Sequence, residues 1–301
     1  MKRNKILALL LVLLLLTGCA TEEPIPEGDP ALTFTDNSNF FVTAPSQPRT
    51  VAVLCATYAE LWTLAGGTVR VTVGEAADQG FASQDATLVD TGDGTTVDQE
   101  ALLAADPDFV IGSVDVPAHV EACKAAREAG ISAALFHMGS FQDYLRVLDI
   151  FTMITGDDTA YETYGRQLQQ QIDTLKAQAT GPRHILSIAV EDGVPVAYGP
   201  SDHFLCAALE DLGAENVIET ATAVEDLSPA SLPAPDHIFL ICAGDQEKAQ
   251  LQALLTQPDW SDLAAIQQGD YTFLEDAPPP NASWPQTYQD LAAILYPAQD
   301  Q

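Results

Sequence analysis

The chain has 301 residues, of which 43 are acidic and only 12 basic, giving a formal charge of −31 at pH 7. That imbalance leaves no extended basic surface, so neither nucleic acid nor a broad face lying on anionic lipid is a fitting partner. Apolar residues make up 47% of the sequence, enough for packed domains of ordinary size rather than a disordered polyanion.

The chain opens MKRNKILALLLVLLLLTGCA. Lys2, Arg3 and Lys5 form a positive start, and Ile6 to Leu16 is an apolar run too short to span a bilayer comfortably. Leu16-Thr17-Gly18-Cys19 resembles a bacterial lipobox. Residues 1–19 then read as a lipoprotein signal peptide, with Cys19 as the lipidated residue. The mature protein is expected on the extracytoplasmic face of the cell membrane, held there by its acyl chains. Residues 20–47 are acidic and Pro-containing, the composition of a linker, although Phe34, Phe40 and Phe41 mark a short strand inside it.

Residues 48–139 alternate short apolar strands with helical segments. Val51–Leu54, Val69–Val73, Thr87–Val89, Asp108–Gly112 and Ile131–Phe136 read as strands. The helices between them imply parallel crossovers, with ligands at the carboxyl ends of the strands. Residues 140–180 are helical. Tyr144, Leu145, Leu148, Ile150, Phe151 and Ile154 repeat at spacings of three and four, Ser140 stands as N-cap with Asp143 three residues on, and Gly156 is a stop. Asp157 and Asp158 open a second helix that is expected to run to about Thr180, roughly 35 Å. Residues 181–301 repeat the strand–helix alternation and close on the helix from Trp284. The expected fold is α/β: two Rossmann-like lobes with mainly parallel sheets joined by one long helix. Cys55, Cys123, Cys206 and Cys242 lie far apart, each in or beside an apolar run, and read as buried free thiols.

Several segments, taken in order, resemble one family. These are Arg49–Val53 with Tyr58–Leu61, Leu102–Ile111 with its Pro107-Asp108, Gly130-Ile131, Ser140–Gly156, Gly213-Ala214-Glu215-Asn216-Val217, Pro258-Asp259-Trp260, and Pro280–Trp284. Together they resemble the Fe/B12-type periplasmic-binding proteins, the substrate receptors of ABC importers for iron-siderophores, haem and corrinoids. The resemblance implies a monomeric receptor that hands its ligand to a membrane permease and its ATPase, with no catalytic role and no cofactor of its own. It also implies an acidic docking residue on each lobe: Glu215 in the Gly-Ala-Glu-Asn turn, and Asp85 in the loop before Thr87. Ser283 and Pro279 stand where basic residues are frequent in the family, and few arginines fall in strand-end loops. An anionic chelate is thereby disfavoured.

Within that frame the ligand-binding candidates are Thr57, Tyr58, Phe81, Asp115 and His137 from the first lobe, and Tyr198, Asp202, His203, Asn281 and Trp284 from the second. Aromatic rings suit a flat macrocycle or chelate with a polar edge. Tyr58 and Trp284 could equally serve the core, and His203 a helix start. Two other functions were weighed. A direct metal-ion receptor would need several His and carboxylate ligands together, for which His119, His137 and His203 are the candidates. A ligand-sensing lipoprotein would differ only in its partner. Serine-hydrolase, zinc-peptidase and phosphate-loop motifs are absent from the sequence, which argues against an enzyme.

Overall fold

The computed structural model describes residues 32–177, 183–275 and 284–297. Within the compact unit that begins at Leu32, a hairpin, β1 (Leu32–Thr35) and β2 (Phe41–Ala44), precedes a five-stranded sheet. That sheet comprises β3 (Val51–Val53), β4 (Val69–Val73), β5 (Thr87–Asp90), β6 (Phe109–Ser113) and β7 (Ser132–Phe136), in the order β5-β4-β3-β6-β7 and parallel throughout. Its crossovers are α1 (Ala56–Leu64), α2 (Gly74–Asp78), α3 (Gln99–Ala104) and α4 (Pro117–Glu128). The short helix α2 occupies what the sequence presents as loop.

The connecting segment follows. Helix α5 (Phe141–Thr155) begins at the expected box: the Ser140 hydroxyl accepts from the Asp143 amide, and the Asp143 carboxylate accepts from the Ser140 hydroxyl and the Gly139 amide. It ends at Gly156, whose φ of 78° is the left-handed cap. Asp157 then caps α6 (Asp158–Tyr161), which passes through a π turn (Glu162–Arg166) into α7 (Gln167–Lys176). These elements run on without a break to Lys176, about 28 Å at 1.5 Å per residue. The helix therefore stops short of Thr180, and residues 178–182 lie outside the described part.

The second sheet holds β8 (Arg183–Glu191), β9 (Val194–Tyr198), β10 (Ala214–Asn216), β11 (Thr222–Ala223), β12 (His237–Cys242) and β13 (Tyr271–Glu275). Its order is β11-β9-β8-β12-β13, with β10 also on β8. β10, β8, β12 and β13 are mutually parallel, and β9 is the antiparallel arm of a hairpin. Its helices are α8 (Phe204–Asp211), α9 (Asp245–Leu255), α10 (Pro258–Ser261), α11 (Ala264–Gln268) and α12 (Trp284–Leu295). One face of this sheet packs with Leu251, Leu254 and Trp260. The other, through Ile185, Phe239 and Ile241, joins the core that continues through α5 into the first sheet. All four cysteines of the described part are free, and Cys123, Cys206 and Cys242 are buried as small apolar groups.

The hairpin corrects the linker reading. From Leu32 it is docked on edge strand β7, covering backbone groups that would otherwise be open to another chain. Asp36 fastens it: its carboxylate, 4% exposed as a residue, takes the Arg127 guanidinium at 2.6 Å and the amides of Leu135, Ser38 and Phe40. Burial pushes this carboxyl upward, but the Ser38 hydroxyl, the Leu135 and Phe40 amides and Arg127 outweigh it, so its pKa falls below 3.8. The stabilisation is complete above the unfolded carboxylate's pKa and is lost as pH falls through the lower folded value. Asp36→Ala should cost about 3–5 kcal/mol, because it strands a largely buried guanidinium and several amides. Urea denaturation measures the loss, and protease cleavage between Leu32 and Ala44 should accompany it.

Candidate functional site

The carboxyl ends of the first sheet's strands gather the polar groups. β3 leads into Cys55, the N-cap of α1, so Thr57 lies half-buried in that helix's first turn. β6 and β7 pair in register with Ser113 opposite Phe136. Asp115 and His137, each just beyond its strand, therefore emerge side by side. His137 Nδ1 lies 2.8 Å from Asp115 Oδ2, both side chains about half exposed. The Ser113 hydroxyl donates to the same carboxylate, and Asn37, from the hairpin turn, accepts from the His137 amide. An acid on one ring nitrogen fixes the orientation of the imidazole, and among the described residues the other nitrogen, Nε2, has no hydrogen-bond partner.

A third strand end completes this edge. After β5 the Asp90 carboxylate accepts from the amides of Gly92 and Gly94 and from the Thr96 hydroxyl. Slight burial opposes ionisation, but these donors prevail and hold Asp90 below the usual carboxylate range. Gly94 has φ 82°, and a Cβ there would lie 2.7 Å from the Leu54 carbonyl, so the turn requires glycine. Its carbonyl accepts from His119 Nε2 at 2.7 Å, while His119 Nδ1 accepts from the Ser113 amide at 3.1 Å. His119 is fully buried. Its burial outweighs the favourable backbone bonds and keeps its pKa below 6.5. It is thus a neutral strut between the β5 turn and β6, which removes it from any metal-ligand set.

Of the other first-lobe candidates, Tyr58 lies beneath this edge, its hydroxyl against Ser113, and Phe81 lies away from it. Tyr58 is 2% exposed, packed 5.9 Å from the Phe136 ring, and burial pushes its hydroxyl pKa well up. One residue along α1 from Thr57, it faces the core. Phe81 is at the opposite end of the sheet: its carbonyl accepts from Thr63 at the end of α1, and Ser83 bonds the start of β4. Asp85 is exposed in that same loop.

In the second lobe, Tyr198, Asp202 and His203 come together, but around one turn. Tyr198 donates to Glu191 at 2.6 Å and stacks on His203 with centroids 5.6 Å apart. His203 Nδ1 accepts from the Leu205 amide as the cap of α8, and Asp202 accepts from the Gly199 amide. The antiparallel course of β9 turns this group back from the carboxyl edge of the parallel strands. Asn281 and the side chain of Trp284 lie outside the described residues, as does Cys19. Glu215 is exposed on β10, 3.6 Å from His184 at the amino end of β8. Sequence reasoning passed over the carboxyl ends of β8 and β12, where Val190, Asp192, Ala243 and Glu247 help line a concavity of about 360 Å³. The only signal there was the Glu191-Asp192-Gly193 turn, with Asp192 at φ 49°. Around the carboxyl ends of both sheets, Asp93, Asp115, Asp192 and Glu247 supply negative charge, and Arg146, which donates to Asn37 beside His137, and Lys248 on α9 supply positive charge.

Comparison with known proteins gives a consistent answer. The periplasmic binding protein family model matches residues 51–278. A periplasmic binding protein from Veillonella parvula superposes with a TM-score of 0.70 at 13% identity, covering 90% of this chain and 99% of that one. Staphylococcus aureus IsdE complexed with heme gives 0.64 at 13% identity, over 83% and 100%. Staphylococcus aureus SirA complexed with staphyloferrin B gives 0.64 at 14%, over 88% and 97%. At such identities these structures establish the fold. No curated protein matches the sequence at a significant level.

His119 generates a pH prediction. Below about pH 6.5 the unfolded chain takes up a proton on this residue and the folded chain does not, so stability should fall with pH until the lower folded pKa is passed. His119→Leu should be about 1–3 kcal/mol less stable at pH 8, from the orphaned Gly94 carbonyl and Ser113 amide. Its loss between pH 8 and 5 should be smaller than the native chain's. Some slope should remain, because burial, with Arg183, also lowers His237. Denaturant midpoints across pH provide the check.

Proposed function

This chain belongs to the periplasmic binding protein family, and on that premise we propose that it is the extracytoplasmic, lipid-anchored receptor of an ABC importer for an iron chelate, haem or corrinoid. The observation that carries the reading is the Asp115–His137 pair beside Thr57 on a strand-end edge, the place where open α/β sheets present ligands. In this reading His137 Nε2 meets the ligand's metal or polar edge, and Thr57 adds a hydroxyl.

The same edge points to the ligand's charge. The carboxylates at this edge outnumber its one guanidinium, Arg146, which is itself held by Asn37 and Asp143, and this balance disfavours a multiply anionic siderophore relative to a neutral or cationic chelate or a corrinoid. The relatives' heme and staphyloferrin B define the range of candidates. A direct ion receptor is the weaker reading, since His119 is spent as a strut and His203 as a helix cap. Permease docking through Glu215 and Asp85 fits their exposure at the amino ends of their sheets.

Titrating the purified protein with cobalamin, haem and ferric siderophores of graded charge tests the reading. Neutral or cationic ligands should bind tightest, and His137→Ala should weaken the best of them by about tenfold or more, the worth of one good polar contact. Tightest binding of a multiply anionic siderophore, or an unchanged affinity in His137→Ala, refutes the proposed site. Anchoring has a separate check: Cys19→Ala should abolish incorporation of labelled lipid and release the protein from the membrane fraction.

A further inference from the structure

A concavity of about 650 Å³ lies at the amino end of the first sheet, away from the strand-end edge described above. It is built where Arg49 and Thr50 enter β3, Thr68 and Arg70 enter β4, and Gly66-Gly67 leave α1. Its position is fixed from below. The Asp108 carboxylate accepts the Arg49 and Thr50 amides at 2.7 and 2.9 Å, and buried Trp62 donates its indole N–H to the Thr68 carbonyl.

The two arginines here are disposed unlike the other arginines among the described residues. Arg127, Arg146 and Arg166 each reach a carboxylate, and Arg183 donates to the carbonyls of Ile294 and Leu295. With 43 acids in the sequence, an arginine can readily be paired. Arg49 and Arg70 are exposed, and among the described residues neither guanidinium meets a protein acceptor, although both line one concavity. Two acids lie close by: Asp108 accepts the Arg49 and Thr50 amides, and Asp157, whose Oδ1 accepts from the Thr159 and Ala160 amides that begin α6, sets Oδ2 beside Gly66 at the rim.

We propose that this concavity binds a phosphate-bearing ligand, either free phosphate or the headgroup of a phospholipid. Guanidinium forks match the oxygen geometry of phosphate and carboxylate alike. One fork saturates a carboxylate, whereas two forks with threonine hydroxyls alongside suit the larger oxygen count and charge of a phosphate. The protein's general negative field is screened beyond about 8 Å at physiological ionic strength, so the paired guanidiniums decide the local preference.

Arginine labelling of the full-length chain in detergent micelles tests this, with phenylglyoxal as reagent and peptide mass spectrometry as readout. Inorganic phosphate forms one arm and phosphatidylglycerol in the micelle the other, both against chloride at matched ionic strength. Arg49 and Arg70 should be labelled about tenfold more slowly when the ligand exceeds its dissociation constant about tenfold, while Arg166 keeps its rate. Protection by free phosphate assigns a soluble ligand, and protection by the lipid alone assigns a headgroup. No slowing in either arm, or equal slowing at Arg166, overturns the proposal. The double variant R49Q/R70Q should lose calorimetric binding of whichever probe protected while keeping its melting temperature. Retained binding in that variant also overturns it.

Discussion

The structure depends on an apolar core that does not stop at the boundary between the two sheets. Phe141 and Tyr144, at the start of α5, stack with centroids 5.7 Å apart, and Phe141 meets Tyr288 of α12 at 5.9 Å. All three are 2% exposed or less. Ring contacts of this kind add about 0.5–1.5 kcal/mol each beyond the burial itself. Separating the two sheets would open this contact, so the core opposes wide hinge motion as a close-packed solid does. The polar tips of the same residues lock the arrangement. Tyr144 donates to the Tyr164 carbonyl in the π turn, where the helical ladder is interrupted, and Tyr288 donates to Asp211 on α8. The π turn thus sits where one of the connecting helices touches the other.

That rigid junction gives the two sheet edges their function. A receptor whose lobes are fixed by a shared core presents a largely preformed site, and its ligand need not supply energy for a large closure. The hairpin contributes to the same rigidity from the amino-terminal side. Asp36 and Asn37 tie the hairpin to Leu135, Arg127 and the backbone of His137.

Charge is used sparingly and locally. The acids that matter for the fold are those with backbone donors: Asp36 in the hairpin, Asp90 in the β5 turn, Asp98 capping α3, Asp157 capping α6. Each replaces lost hydration with amide hydrogen bonds, which is why such carboxylates tolerate their positions. The remaining acids are mostly solvated and keep the surface strongly negative, a condition that aids solubility and draws basic partners.

The sequence by itself determined whatever is written in local order. Apolar periodicity gave most of the strands and helices, though not α2 or the paired hairpin β1–β2, and Ser140 with Asp143, Gly156 and Pro107-Asp108 marked ends, because caps and breakers act within a turn of where they stand. Alternation of strands and helices fixed two mainly parallel sheets, and the ordered segments from Arg49 onward were enough to suggest the family. Only the tertiary structure decided what depends on neighbours far along the chain. Thr57 and Tyr58 are adjacent, yet a helical step of about 100° sends one toward the edge and the other against Phe136. His119 and His137 look alike as letters, but one is walled in between Gly94 and Ser113 while the other leans on Asp115 in the open. Phe81 was misplaced because a loop's direction is set by where it bonds, here Thr63 and Val69. Such roles follow from register between strands and from burial, which a side chain acquires only from the packing around it.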